Sequence, residues 1–265
     1  MFLIKYIFLP CILLSTVYSA RQVRLEYKRD SSNELQFNFK NEYRVVHTDM
    51  DEIHRLHAIS DGVSHEKVTE ENFEGKTRIS KKIVVNNLSL NGNEDNKVSP
   101  ELLKLANYEY LLDKHKGNVQ IVGSKDFRRD DLMNMNIVFP KKALRSGDTW
   151  KAKYKYFFNL GKRGAVPVFG KFQLVSIVDG YAKIIGNFVG KIDKTRKINY
   201  KGLVKLSFDM KFDIVKGYFT SGKMKHSLRY ESRTDLANDL KKFTSGATRL
   251  GYKLDYKTSF ELKRD

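Results

Sequence analysis

The densest group of chemically versatile side chains is the run His47-Thr48-Asp49-Met50-Asp51-Glu52-Ile53-His54-Arg55-Leu56-His57. If Asp49 caps a helix and Glu52 completes a capping box, His54 and His57 stand one turn apart and could share a metal ion. If the run is a strand, the two imidazoles point to opposite faces and cannot. The corresponding segment 170–178 reads as a strand leading into a turn, so the strand is favoured and His54 and His57 are weak metal candidates.

Nucleophilic chemistry has less support. The single cysteine, Cys11, lies in an apolar N-terminal run, and no Gly-x-Ser-x-Gly elbow, His-Glu-x-x-His helix, phosphate-binding loop or dinucleotide fingerprint occurs. The carboxylates Asp179, Asp213, Glu231 and Asp239 show no spacing that marks an acid/base pair, although such pairs also assemble from distant positions. The expectation is binding without catalysis and without a cofactor.

Charge points to the kind of partner. The 265 residues carry a formal net charge of +18. Residues 1–140 hold 20 basic and 20 acidic side chains and residues 141–265 hold 29 and 11, so the excess falls in the second half. In Lys151-Ala152-Lys153-Tyr154-Lys155-Tyr156 the lysines share one strand face and the aromatics the other. That is a sheet with aromatics inward and a wet basic face. Lys151, Lys153, Lys155, Lys241, Lys242, Lys263 and Arg264 are the candidate contacts for an acidic protein or envelope polymer. Interleaved lysines and aromatics also suit a nucleic-acid groove, but export removes most nucleic acid from reach.

Export is read from residues 1–20. Lys5, an apolar run from about Ile7 to Leu14 and a small-residue exit resemble a cleaved signal peptide, with cleavage after Ser19 favoured. The run is shorter than the roughly 20 residues that span a bilayer, which makes an uncleaved anchor the second choice. A mature chain without cysteine suits a bacterial envelope, so the expected location is the periplasm, with the extracellular space as the alternative.

The elements that must position these residues are strands. Leu35-Gln36-Phe37-Asn38-Phe39 and Leu250-Gly251-Tyr252-Lys253-Leu254-Asp255-Tyr256 alternate apolar and polar side chains with a period of two. Asp61-Gly62, Lys116-Gly117, Asp179-Gly180 and Lys216-Gly217 read as hairpin turns. Three pairs of marks recur in the same order: Ile59–Gly62 with Ile177–Gly180, Phe73–Lys76 with Phe188–Lys191, and the hairpin after Asp113 with the one after Asp213. They suggest an internal duplication. One to three short helices are expected, including 99–105 and 234–246. The fold class is mainly β, with two similar antiparallel, curved-sheet lobes. Residues 1–19 are the signal, 20–123 the first lobe, 124–148 a connector and 149–265 the strongly basic second lobe.

The junction Phe139-Pro140-Lys141-Lys142-Ala143-Leu144-Arg145-Ser146-Gly147-Asp148-Thr149-Trp150 resembles one in the DUF6263-like family of exported bacterial β proteins of unassigned function. The two Asp-x-x-Lys-Gly hairpins flanking it resemble that family's paired elements, and the similar parts cover roughly residues 100–220. The resemblance implies an exported, cysteine-poor, two-lobed curved sheet and supplies no catalytic residues. As the only tryptophan, at a strand start, Trp150 reads as a core anchor.

Two binding functions follow. In the first, the protein is a structural or docking subunit of the cell envelope whose basic second lobe meets an acidic partner or filament, for example a periplasmic flagellar sheath. In the second, a β cavity lined by aromatics such as Phe172, Phe188 and Phe208 carries or senses a hydrophobic ligand.

Overall fold

The computed structural model describes residues 22–31, 34–49, 52–91, 93–94, 107–122, 137–159, 163–193, 201–234 and 248–263. Alternating side chains build strands β1 (Leu35–Asp49), β2 (Glu52–Phe73), β3 (Lys76–Leu90), β4 (Asn93–Glu94), β5 (Asn107–Asp113) and β6 (Gly117–Val122) in the first half. The second half contributes β7 (Thr149–Asn159), β8 (Arg163–Val178), β9 (Tyr181–Ile192), β10 (Lys201–Asp213), β11 (Tyr218–Thr234) and β12 (Thr248–Leu262). All join one antiparallel sheet in the order β6-β5-β3-β2-β1-β12-β11-β10-β9-β8-β7, with β4 pairing β3 off this path.

The sheet is two meanders joined by the first and last strands, whose register runs from Phe37↔Leu262 to Asp49↔Leu250. The two expected lobes are thus halves of one open sheet. Each half has its own buried cluster. A large one is built on β7–β11, and a small one contains Val68, Ile79, Tyr108 and Tyr110. No helix occurs among the described residues; the expected helix at 99–105 falls outside them, as does that at 234–246 apart from Thr234, which ends β11.

Two stretches without strand structure cover the inner face of the sheet. Val23 and Leu144 exchange backbone hydrogen bonds, each 2.8 Å. The Tyr27 hydroxyl donates to the Ile137 carbonyl at 2.9 Å, and its ring stacks on Phe139 at 4.8 Å. Trp150 is buried, packs on Phe172 and donates its indole N–H to the Val138 carbonyl at 2.8 Å, the anchor role read from sequence.

The turns test the repeat directly. Glu74-Gly75 and Asp179-Gly180 have positive φ at both residues, as tight hairpins require. The hairpins after Asp113 and Asp213 share one geometry: each aspartate Oδ1 accepts two backbone N–H groups, from His115 and Lys116 in one and from Val215 and Lys216 in the other. The other two pairs differ. Asp61-Gly62 is not a turn but a bulge inside β2, where a Cβ on Gly62 would collide with the Val84 carbonyl oxygen of β3 and lie 2.9 Å from the Phe39 ring. Glycine there serves a close approach rather than a reversal. Residues 188–191 likewise lie within β9, whereas 73–76 form a turn. Only the third pair shares structure, and the strand order shows no duplication.

Candidate ligand cavity

A cavity of about 310 Å³ opens beneath the segment around Tyr27 and Arg29, on the inner face of β1, β2, β3, β5 and β12. Strand register explains its two-sided character. One cross-strand row consists of Leu35, Glu66, Lys81 and Tyr108. The next contains Phe37, Ser64 and Ile83, and beyond it Phe39 faces Phe260 across the β1–β12 seam. The cavity therefore grades from a charged row into an aromatic wall. Phe37 and Phe260 meet edge to face at 5.8 Å. Met210, Met224 and Phe219 close the wall from the second half, and methionine supplies an adaptable apolar surface.

The charged row is buried. The Arg29 guanidinium lies 3.2 Å from the Glu66 carboxylate, with its side chain 4% exposed, and the Lys81 ammonium donates to Glu66 at 2.9 Å. Burial by itself raises the Glu66 pKa, yet Lys81 and Arg29, with hydrogen bonds from Lys81 and Tyr110, hold it below the usual carboxylate range. Burial by itself would lower the Lys81 pKa, but the Glu66 charge overrides it and raises it. All three groups are charged near neutral pH, two positive against one negative. Arg29 is among the residues that line this cavity, and its buried Nε has no hydrogen-bond partner among the described residues. Arg29 also lies over the Tyr218 ring at 6.0 Å.

The residues singled out from sequence lie elsewhere. Phe172, Phe188 and Phe208 are almost fully buried and pack on one another at 4.8 to 5.7 Å. They fill the core of the second half and are not among the residues that line the cavity. Rings and glycines oppose each other there: Phe172 lies opposite Gly186 and Phe188 opposite Gly170.

Lys151, Lys153 and Lys155 are exposed on β7, with Tyr154 half-buried and Tyr156 buried on the other face. Lys171 stands directly opposite Lys151. Strands β7–β9 contain no acidic residue. Phe169 on the same face is 55% exposed, with the Lys153 ammonium 5.2 Å from its ring. Lys263 is exposed; Lys241, Lys242 and Arg264 lie outside the described residues.

His54 and His57 both lie in strand β2 and have different neighbours, Glu52 at 3.4 Å and Glu42 at 3.3 Å. His54 faces His47 across the β1–β2 pair at 6.2 Å between rings. Among the described residues no three His, Cys, Asp or Glu side chains converge as a metal site.

Sequence reading missed Arg29, Glu66, Lys81 and the buried His226. For Lys81 and His226 the signal is a charged or polar residue at an inward strand position between apolar neighbours two residues away, as in Ile79-Ser80-Lys81-Lys82-Ile83 and Met224-Lys225-His226-Ser227-Leu228; Arg29 lies outside the strands and carries no such pattern. No protein-family model and no curated protein matches the chain.

Proposed function

We propose that the protein is an exported, non-catalytic carrier or sensor that holds an apolar ligand in the cavity beneath Tyr27 and Arg29. The observation that carries this reading is an aromatic and aliphatic wall around about 310 Å³ of space, with a few polar groups gathered on one row. That volume is at the lower end of the roughly 300–1,000 Å³ usual for ligand sites. It suits one chain or one ring system better than a two-tailed lipid. Binding of the neutral fluorophore N-phenyl-1-naphthylamine tests it. The native protein should enhance its emission saturably, and Ile83→Trp, which fills the cavity, should abolish the effect. Absence of saturable binding, or unchanged binding in the variant, would overturn the reading.

A specific observation favours a second role, docking on an acidic envelope partner such as a polymer, filament or flagellar sheath. Strands β7–β9 form a purely basic edge on which Lys151, Lys153 and Lys155 flank exposed Phe169. Such a face attracts acidic surfaces through salt-sensitive steering, and the aromatic adds apolar contact. The docking and carrier roles use different faces and are compatible. The signal-like residues 1–19 and the likeness to exported β proteins support placement in the periplasm.

A further inference from the structure

The cavity has a charge imbalance that an apolar ligand alone leaves uncorrected. Arg29 and Lys81 bring two cations to the same row, and Glu66 is the anion that meets both. Tyr110, which faces the row from β5, is a neutral phenol, since burial drives its pKa well above its ordinary value. The remaining positive charge sits in a wall of Tyr27, Phe37, Tyr218 and Phe219, where water screens it poorly. An unpaired buried charge is costly, and so is a buried N–H without an acceptor. The Arg29 guanidinium shares its single carboxylate with Lys81, and its Nε–H is buried without a partner among the described residues. Guanidinium is also the group best shaped to bind a carboxylate through two parallel hydrogen bonds.

We propose that the cavity selects a single-chain amphiphile with one negative charge, such as a fatty carboxylate, its head group on Arg29 and Lys81 and its tail against Phe37, Phe39 and Phe260. The argument rests on the carrier reading above and deepens it by naming the ligand class. One anion brings the row to neutrality, while the tail covers the aromatic wall. A neutral ligand of equal length would fill the same wall and leave the excess positive charge uncompensated, so discrimination lies in the head group.

The test uses two fluorescent ligands with the same tail, cis-parinaric acid and its methyl ester, beside neutral N-phenyl-1-naphthylamine. The protein should bind the acid at least about tenfold more tightly than the ester, the scale of a charge-assisted hydrogen bond in a buried site. Arg29→Met should bring the ratio close to one. Glu66→Gln leaves both cations without their anion and should raise the ratio instead, so the two variants move in opposite directions, which general unfolding cannot produce. The triple variant Lys151→Glu, Lys153→Glu, Lys155→Glu should keep the preference. Equal binding of acid and ester, with the neutral fluorophore still bound, would overturn the head-group inference and leave the carrier reading standing. Loss of the preference in the triple lysine variant would place the anion on the outer face and overturn it too. Failure of all three ligands to bind would overturn both.

Discussion

Replacing His226 by leucine should make the protein more stable at neutral pH and less sensitive to acid. His226 lies at the middle of β11 on the inner face, 1% exposed, with its ring edge-on to Tyr156 at 4.8 Å and opposite Tyr256 on β12. Neither ring nitrogen has a partner among the described residues. Burial pushes the imidazole pKa down to about 4, and Asp255 on the outer face of β12 offsets only part of this. Against an unfolded value of 6.5, the native state refuses a proton that the unfolded chain accepts. This contribution is complete above pH 6.5 and is lost as pH falls from there toward 4. Its full size is about 3 kcal/mol, from 1.36 kcal/mol for each tenfold change in proton affinity. At neutral pH, leucine also removes two unpartnered polar atoms, worth about 1–3 kcal/mol. Trp150, the single tryptophan, is buried beside Phe172 and reports unfolding by its fluorescence. Guanidinium titrations from pH 7.5 to 4.5 should show the leucine variant ahead at every pH, with a gap that widens as pH falls. A constant or shrinking gap would show that the native imidazole takes up a proton as readily as the unfolded chain does. A variant less stable than the parent at pH 7 would show that its nitrogens are hydrogen-bonded after all.

Gly186→Ala should cost about 1–3 kcal/mol, because a Cβ there collides with the Phe172 ring; the denaturation midpoint measures it. Asp213→Ala removes the acceptor of two turn N–H groups at a buried position and should cost about 1–3 kcal/mol. Asp113→Ala should cost less, since that aspartate is more exposed; equal costs from parallel urea titrations would contradict the burial argument. The Lys151→Glu, Lys153→Glu, Lys155→Glu variant should retain parental stability, because these side chains are exposed, and lose salt-sensitive binding to a polyanion such as polyglutamate in light-scattering titrations.

The outward lysines and inward Tyr154 and Tyr156 of β7 were legible because a strand's two faces alternate whatever it pairs with. The turns at Asp179-Gly180 and after Asp113 and Asp213 were legible for a similar reason: their chemistry is contained in four or five consecutive residues. Asp61-Gly62 carries the same local signal and misleads, because its glycine answers to the Val84 carbonyl on β3, which no local pattern reveals. The aromatics chosen from sequence as a cavity lining fill the core instead. Alternation says that Phe172, Phe188 and Phe208 point inward, but whether inward means a gap or another ring depends on the strands opposite.

The amino-acid sequence by itself determined that this is a sheet of alternating strands with tight turns and a basic face, since period, turn chemistry and charge are properties of short segments. Only the tertiary structure decided that β1 pairs with β12, uniting two halves into one sheet, and that Arg29 comes to Glu66 and Lys81 beside the aromatic wall of that seam. The physical reason is distance along the chain. Register between strands more than two hundred residues apart is selected by the summed burial of the whole inner face, and a charged residue's partner is known only once that register is set.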